Sequence, residues 1–245
     1  MKFERVRDLI HGIPFASPER GRELYDFIAE SEPKRCLELG FAHGVSTCYI
    51  AAALEKLGQG HLDCVDLENQ AWQKPSVEEL LSKCGLSHRV TIYREKTSYN
   101  WFLKKSIEKL SVGSSCQPIY DFCVIDGPKN WTIDGFAFFL VDKLLKEGGA
   151  ILFDDYSYAY GTERSVTDGI NHQELGLDEL TEPHIKAIFH LLITQHPSYG
   201  RFEVVNEQWA WAFKIRGTER VLIPKEHLGL WEKSARAMRR LRRSL

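Results

Sequence analysis

The stretch Arg35-Cys36-Leu37-Glu38-Leu39-Gly40-Phe41-Ala42-His43-Gly44-Val45-Ser46 decides how this chain folds. A short, largely apolar run ends at Leu39, a glycine-bounded loop follows, and an apolar-rich segment, Val45–Leu57, opens directly after it. That is a strand, a turn and a helix, the first half of a parallel βαβ unit. Gly40 and Gly44 permit a sharp turn and a close backbone approach to a ligand. The helix start offers free N–H groups and a positive dipole end, suited to a carboxylate or phosphate. The dinucleotide fingerprint G-x-G-x-x-G is broken, because Ala42 and Val45 stand at its second and third glycine positions. A nicotinamide or flavin ligand is therefore disfavoured.

Outward from this unit the same alternation repeats. Ser17-Pro18 starts an upstream helix, with Ser as N-cap and Pro at N1, and Pro33 follows its end near Ser31. Downstream, strands are expected at His61–Leu67, Val90–Arg94, Asp121–Ile125 and Ala150–Phe153. Helices are expected near Ser76–Cys84, Tyr99–Leu110 and Ile133–Lys146, the last closed by Gly148-Gly149 as a C-cap. Tyr156–Leu180 is a polar stretch too long for a simple connector and reads as a substrate loop or lid. A helix over Pro183–Gln195 precedes a closing hairpin, Phe202–Val205 with Trp209–Lys214. The expected fold class is α/β, Rossmann-like, with helices on both faces of a mostly parallel sheet and a C-terminal antiparallel hairpin. Residues 1–32 read as an N-terminal helical cap, 33–216 as the main domain with 156–200 as its lid, and 217–245 as a basic tail.

Open α/β sheets bind ligands at the carboxyl ends of their strands. Here those ends are polar. Asp66, after the second strand, can accept both hydroxyls of a ribose, and with the glycine loop it suggests a nucleoside lying across two strands. Asp126 ends the fourth strand, and Asp154-Asp155 end the fifth. Three converging carboxylates repel one another unless a hard cation sits among them, and Mg2+ favours such oxygen ligands. The alternative is that these acids cap neighbouring structure. His43, in the glycine loop, is a further candidate for cofactor contact.

At these residues the chain resembles the metal-dependent O-methyltransferases, the group that includes catechol and caffeoyl-CoA O-methyltransferases. The resemblance runs in order through Ala16-Ser17-Pro18-Glu19-Arg20-Gly21, Glu38-Leu39-Gly40-x-x-x-Gly44-x-Ser46, Gly85-Leu86-x-x-Arg89-Val90-Thr91-Ile92, Tyr120-Asp121-Phe122-x-x-x-Asp126-x-x-Lys129 and Gly148-Gly149-Ala150-x-x-x-Asp154-Asp155. It implies a class I methyltransferase fold with a seven-stranded sheet, and S-adenosylmethionine as cofactor. Glu38, Gly40, Gly44 and Ser46 would then hold the methionine part, Asp66 the ribose, and Thr97-Ser98 would lie near the adenine, with Phe41, His43 and Asp126 as further cofactor contacts. Asp126, Asp154 and Asp155 would bind Mg2+ or a similar divalent cation. Lys129 matches the family's general base, helped by Asp126; a partly buried lysine beside a cation would have a lowered pKa. Two departures stand out. Asp155 replaces the family's usual Asn, and Tyr156–Gly200 aligns with nothing in the pattern.

The expected activity is metal-assisted O-methylation of a small molecule. Three alternatives stay open: a metal-independent small-molecule methyltransferase, a tRNA methyltransferase that uses its basic tail, and a non-catalytic nucleoside-binding protein of the same fold. Composition narrows the partners. A formal net charge of -2 draws the whole molecule to neither nucleic acid nor membrane. From Arg220 to Leu245, however, eight Lys/Arg face two Glu. The six cysteines form no C-x-x-C pair and read as small buried hydrophobes of a reducing, cytoplasmic compartment. No apolar run is long enough to span a membrane. A homodimer, through the N-terminal helix or the tail, is the expected form of any self-association.

Overall fold

The computed structural model describes residues 1–14, 16–70, 73–162 and 170–215. The basic tail, 217–245, lies outside these residues, as does 163–169 within the expected lid. The first elements are α1 (Phe3–Leu9) and α2 (Pro18–Ser31). The Ser17 hydroxyl accepts from the Arg20 amide at 3.3 Å and Pro18 holds the first turn. Then β1 (Arg35–Leu39), α3 (Val45–Leu57), β2 (His61–Leu67), α4 (Val77–Cys84), β3 (Val90–Glu95) and α5 (Tyr99–Leu110) alternate. A capping box between Ser76 and Glu79 starts α4. After a two-residue ribbon come β4 (Tyr120–Ile125), α6 (Trp131–Leu144) and β5 (Leu145–Phe153). Short helices α7 (Leu177–Thr181) and α8 (His184–Ile188) lead to β6 (Tyr199–Val205) and β7 (Trp209–Lys214).

The seven strands form one sheet in the order β3-β2-β1-β4-β5-β7-β6. β1 to β5 are parallel, whereas β7 runs antiparallel to both β5 and β6. Two buried clusters lie on opposite faces. One joins α1, α2, α3 and α4 to the sheet, through residues such as Ile28, Ile50 and Leu80. The other joins α5, α6 and α8, through Leu103, Phe138 and Ile188. The expected Rossmann-like α/β class, with helices on both faces and a closing antiparallel hairpin, is what the chain forms. The cysteines are all unpaired, and five of the six are buried.

Three details correct the sequence reading. Gly148-Gly149 does not cap α6; Leu145 already has extended dihedrals, and the chain enters β5 there. Four residues, 146–149, face the single Asp121 between paired positions, so the glycines form an irregularity in which Gly148 takes φ 81°. The expected helix over 183–195 is α-helical only to Ile188 and then widens into a π-turn, Phe189–Ile193. The hairpin is also longer, since β6 begins at Tyr199. Among the described residues no helix is long and apolar enough to cross a membrane.

Candidate functional site

Sheet register brings the polar residues together. The Gly40 amide donates to Val65 O at 2.8 Å, the Asp126 amide to Leu39 O at 2.8 Å, and the Asp154 amide to Ile125 O at 3.1 Å. These bonds carry the ladder one step past β1, β4 and β5. They set the glycine loop, Asp126 and Asp154 side by side at the carboxyl end of the sheet. Gly40 has φ 86°, and a Cβ there would lie 2.0 Å from the Asp126 carbonyl oxygen. Only glycine lets these two strand ends close.

Glu38 is fully buried, and its Oε2 accepts from the Thr47 hydroxyl at 2.5 Å. Its Oε1 is buried without a hydrogen-bond partner. Burial pushes this carboxyl up to about 7, against the pull of the Ser46 and Thr47 hydroxyls. Asp66 turns back on the loop: one oxygen accepts the Phe41 and Ala42 amides at 3.0 and 2.9 Å, the other the Leu67 amide at 2.7 Å. The carboxylate therefore holds the loop's shape and retains further acceptor capacity. His43 Nδ1 meets Pro75 O at 2.8 Å, which fixes its proton on that nitrogen. Ser98 caps α5, accepting from the Asn100 amide at 3.1 Å, and Thr97 beside it is exposed. A narrow, mostly apolar cavity lies between α2 and the strand ends, walled in part by Phe41, His43, Ser46, Asp126, Asp154 and Trp209.

Carboxylate oxygens of Asp126, Asp154 and Asp155 all fall within 4.8 Å of one another. Lys129 Nζ sits among them, 2.7 Å from Asp126 Oδ1 and 3.3 Å from Asp155 Oδ2. Arg20, from α2, reaches Asp154 at 3.4 Å and also bonds Gln208. Burial pushes the Asp126 and Asp154 carboxyls above the usual range, and the neighbouring acids add to this. The lowering expected for Lys129 belongs to a lysine beside a bound cation, and the carboxylates by themselves act in the other direction. Burial alone pulls its ammonium down, but the surrounding charges of Asp126, Asp155 and Asp154 outweigh it and the net direction is up.

Other residues of the site escaped the sequence reading. Asp134 is fully buried; it accepts the Asn130 amide at 2.6 Å and the Tyr99 hydroxyl, and draws on the Lys129 amide as well. It thus clamps a turn in which Lys129 takes φ 58°, a strained value for a residue with a side chain. Asp155, at φ 54°, is strained likewise. Burial lifts the Asp134 carboxyl to about 6, although the Tyr99, Asn130 and Lys129 donors oppose the shift. In sequence Asp134 is an ordinary first-turn acid of α6, with no signal to mark it. Arg20 lay in plain view in Ser17-Pro18-Glu19-Arg20-Gly21, but its partner Asp154 is 134 residues away. Trp209 is buried on the cavity wall, yet its Nε1 has no hydrogen-bond partner. His184 holds the first turn of α6, accepting the Trp131 amide at 3.1 Å, and takes no part in an acidic cluster.

Comparison with known proteins fits this geometry. Residues 37–156 match the model of a family described as a methyltransferase domain. No curated protein sequence matches the chain. Among solved structures, an O-methyltransferase from Bacillus cereus in complex with SAH has a TM-score of 0.59 at 20% identity, over 86% of this chain and 90% of its own. TomG, an O-methyltransferase from Streptomyces achromogenes involved in tomaymycin synthesis, in complex with SAM, has a TM-score of 0.57 at 17% identity, over 87% and 89%. An SAH-bound methyltransferase from Podospora anserina has a TM-score of 0.59 at 16% identity, over 86% and 85%. At these identities the structures share the fold. Residues 37–156 thus match a methyltransferase domain, and the chain shares the fold of these SAM- and SAH-bound methyltransferases.

Proposed function

We propose that the protein transfers a methyl group from S-adenosylmethionine to an oxygen of a small molecule, with a divalent cation at Asp126, Asp154 and Asp155. One observation carries this reading: the glycine loop with its buried Glu38 and the three-carboxylate cluster occupy adjoining strand ends. The donor set suits both groups. The unpartnered Glu38 Oε1 fits the cofactor's ammonium, and Ser46 with the start of α3 fits its carboxylate. Asp66 retains capacity for ribose hydroxyls, while Thr97 and Ser98 close the adenine side. Three clustered carboxylates suit a hard cation, and burial with the neighbouring acids holds Asp126 and Asp154 above their usual pKa.

Methyl transfer is an in-line displacement. A carbon–oxygen bond forms as the sulfonium carbon–sulfur bond breaks, and the electron pair returns to sulfur. Positioning therefore supplies most of the catalysis. A bound divalent cation would orient acceptor oxygens and favour the deprotonated hydroxyl. Lys129 is placed to take the hydroxyl proton once the carboxylates around it have less negative charge to share. Asp134 and Tyr99 hold the Lys129 turn, and Phe41, Leu24 and Trp209 keep water from the cavity.

A second reading has a specific observation behind it. Lys129 and Arg20 already pair with the carboxylates, so a metal-independent methyltransferase would use these two side chains as its cations. Calorimetric titration with S-adenosylhomocysteine, with Mg2+ or EDTA, separates the two. Micromolar binding is expected, together with a Mg2+-dependent rise in melting temperature that Asp126→Asn plus Asp154→Asn abolishes. No binding at high micromolar S-adenosylhomocysteine would overturn the cofactor assignment. A Mg2+ effect that survives the double variant would overturn the metal site.

A further inference from the structure

At the opposite, amino end of the parallel strands lies a groove of about 880 Å3, remote from the cofactor site. The second half of α2, the starts of β1, β4 and β5, and the outer faces of β6 and β7 line it. Its floor is aromatic. Phe27 contacts Trp211 with ring centroids 4.5 Å apart, Trp211 stacks on Phe213 at 6.4 Å, and the Arg201 guanidinium lies over the Phe213 ring, 4.4 Å from its centroid. Its rim is acidic: six Asp/Glu line the groove against three Lys/Arg. Asp121 is engaged by Lys146 at 2.7 Å, whereas Glu23, Glu30, Glu32 and Glu147 are exposed to solvent.

We propose that this groove binds the chain's own residues 216–245. The described chain leaves β7 at Ile215, two residues beyond Phe213 on the groove floor. Residues 216–245 hold nine Lys/Arg against three Glu, the opposite sign to the rim. They also carry Leu222, Ile223, Leu228, Leu230, Trp231, Met238 and Leu241, apolar side chains that suit an aromatic floor. Tethering adds a large advantage, because a segment joined beside its site acts at an effective concentration on the order of millimolar. Basic charge clustered beyond Arg220 is thereby satisfied within the molecule, which leaves it less available to an outside polyanion. The inference is independent of the methyl-transfer reading, since no groove residue belongs to the cofactor or metal site.

The test uses the full chain. With p-benzoylphenylalanine in place of Glu147, irradiation is expected to give cross-links within one chain from position 147 to peptides of 216–245. Cross-links confined to residues 1–215, or found only between two chains at dimer mass, overturn the proposal. Hydrogen–deuterium exchange gives a second readout. Glu30→Lys with Glu147→Lys should speed exchange of the 216–245 amides about tenfold, and raised salt should do the same to the parent protein. Glu108→Lys, on α5, should leave that exchange unchanged. Equal exchange in the double variant and its parent overturns the proposal.

Discussion

Glu38 shows how much chemistry one buried carboxyl can hold. Its carboxyl rises from the ordinary 4.5 to about 7 because burial penalises the anion. The folded protein therefore binds this proton more tightly than the unfolded chain does. Stability contributed here is present at low pH and falls as pH rises from about 4.5 to about 7. Glu38→Gln should flatten that decline, by on the order of 2–3 kcal/mol between the two ends; chemical denaturation at pH 5 and pH 7.5 reads it directly. Lys129 offers the complementary case. Removing it in Lys129→Met leaves the half-buried Asp126 carboxylate without its nearest cation, at a cost of roughly 1–3 kcal/mol. Mg2+ should restore more stability to that variant than it adds to the parent. An equal Mg2+ effect in both would mean that lysine and metal do not share one charge site. Asp134→Asn should act on the same group more gently, slowing methyl transfer while leaving S-adenosylhomocysteine affinity within about twofold.

At the scale of elements, α2 and α3 cross where Gly21 meets Tyr49. A Cβ at Gly21 would lie 2.2 Å from the Tyr49 ring, which is itself stacked against Phe3 with centroids 5.2 Å apart. Nothing there can give way cheaply. Gly21→Ala should therefore cost about 1–3 kcal/mol, through overpacking, in spite of alanine's better helix propensity; thermal unfolding measures it. The elements themselves were largely legible. Ser17-Pro18 and Ser76 with Glu79 are local signals, and they act locally in the fold. Apolar strand runs set β1 to β5, and their order sets Asp126 and Asp154 beside each other. What stayed hidden depends on sums or on distant partners. Gly148-Gly149 reads equally as a cap or as a strand irregularity, and only its pairing opposite Asp121 decides. The direction of the Lys129 shift needs the balance of burial against three anions, and the Asp134 clamp needs Tyr99, 35 residues earlier.

Across the whole molecule, the proposed cofactor couples these local features to global stability and to protons. A ligand that binds only the folded chain stabilises it by about 2.7 kcal/mol at a hundredfold excess over its Kd. For a domain of this size that corresponds to a rise of roughly 5–10 °C in melting temperature. The proton coupling is the more specific expectation. In the free protein Glu38 titrates near 7, so a substantial fraction is protonated at pH 6.5. An ammonium group placed against its unpartnered Oε1 favours the anion and pulls that pKa down. Binding must then release a proton. Affinity for S-adenosylhomocysteine should rise with pH from 5.5 towards 7 and level off above it. Calorimetry at pH 6.5 in two buffers of different ionisation enthalpy should give different apparent heats, and the difference in heat divided by the difference in ionisation enthalpy counts the protons released. Glu38→Gln should abolish both the buffer dependence and the slope. A buffer dependence that persists in the variant would move the proton to another group, and would remove Glu38 from contact with the cofactor's ammonium.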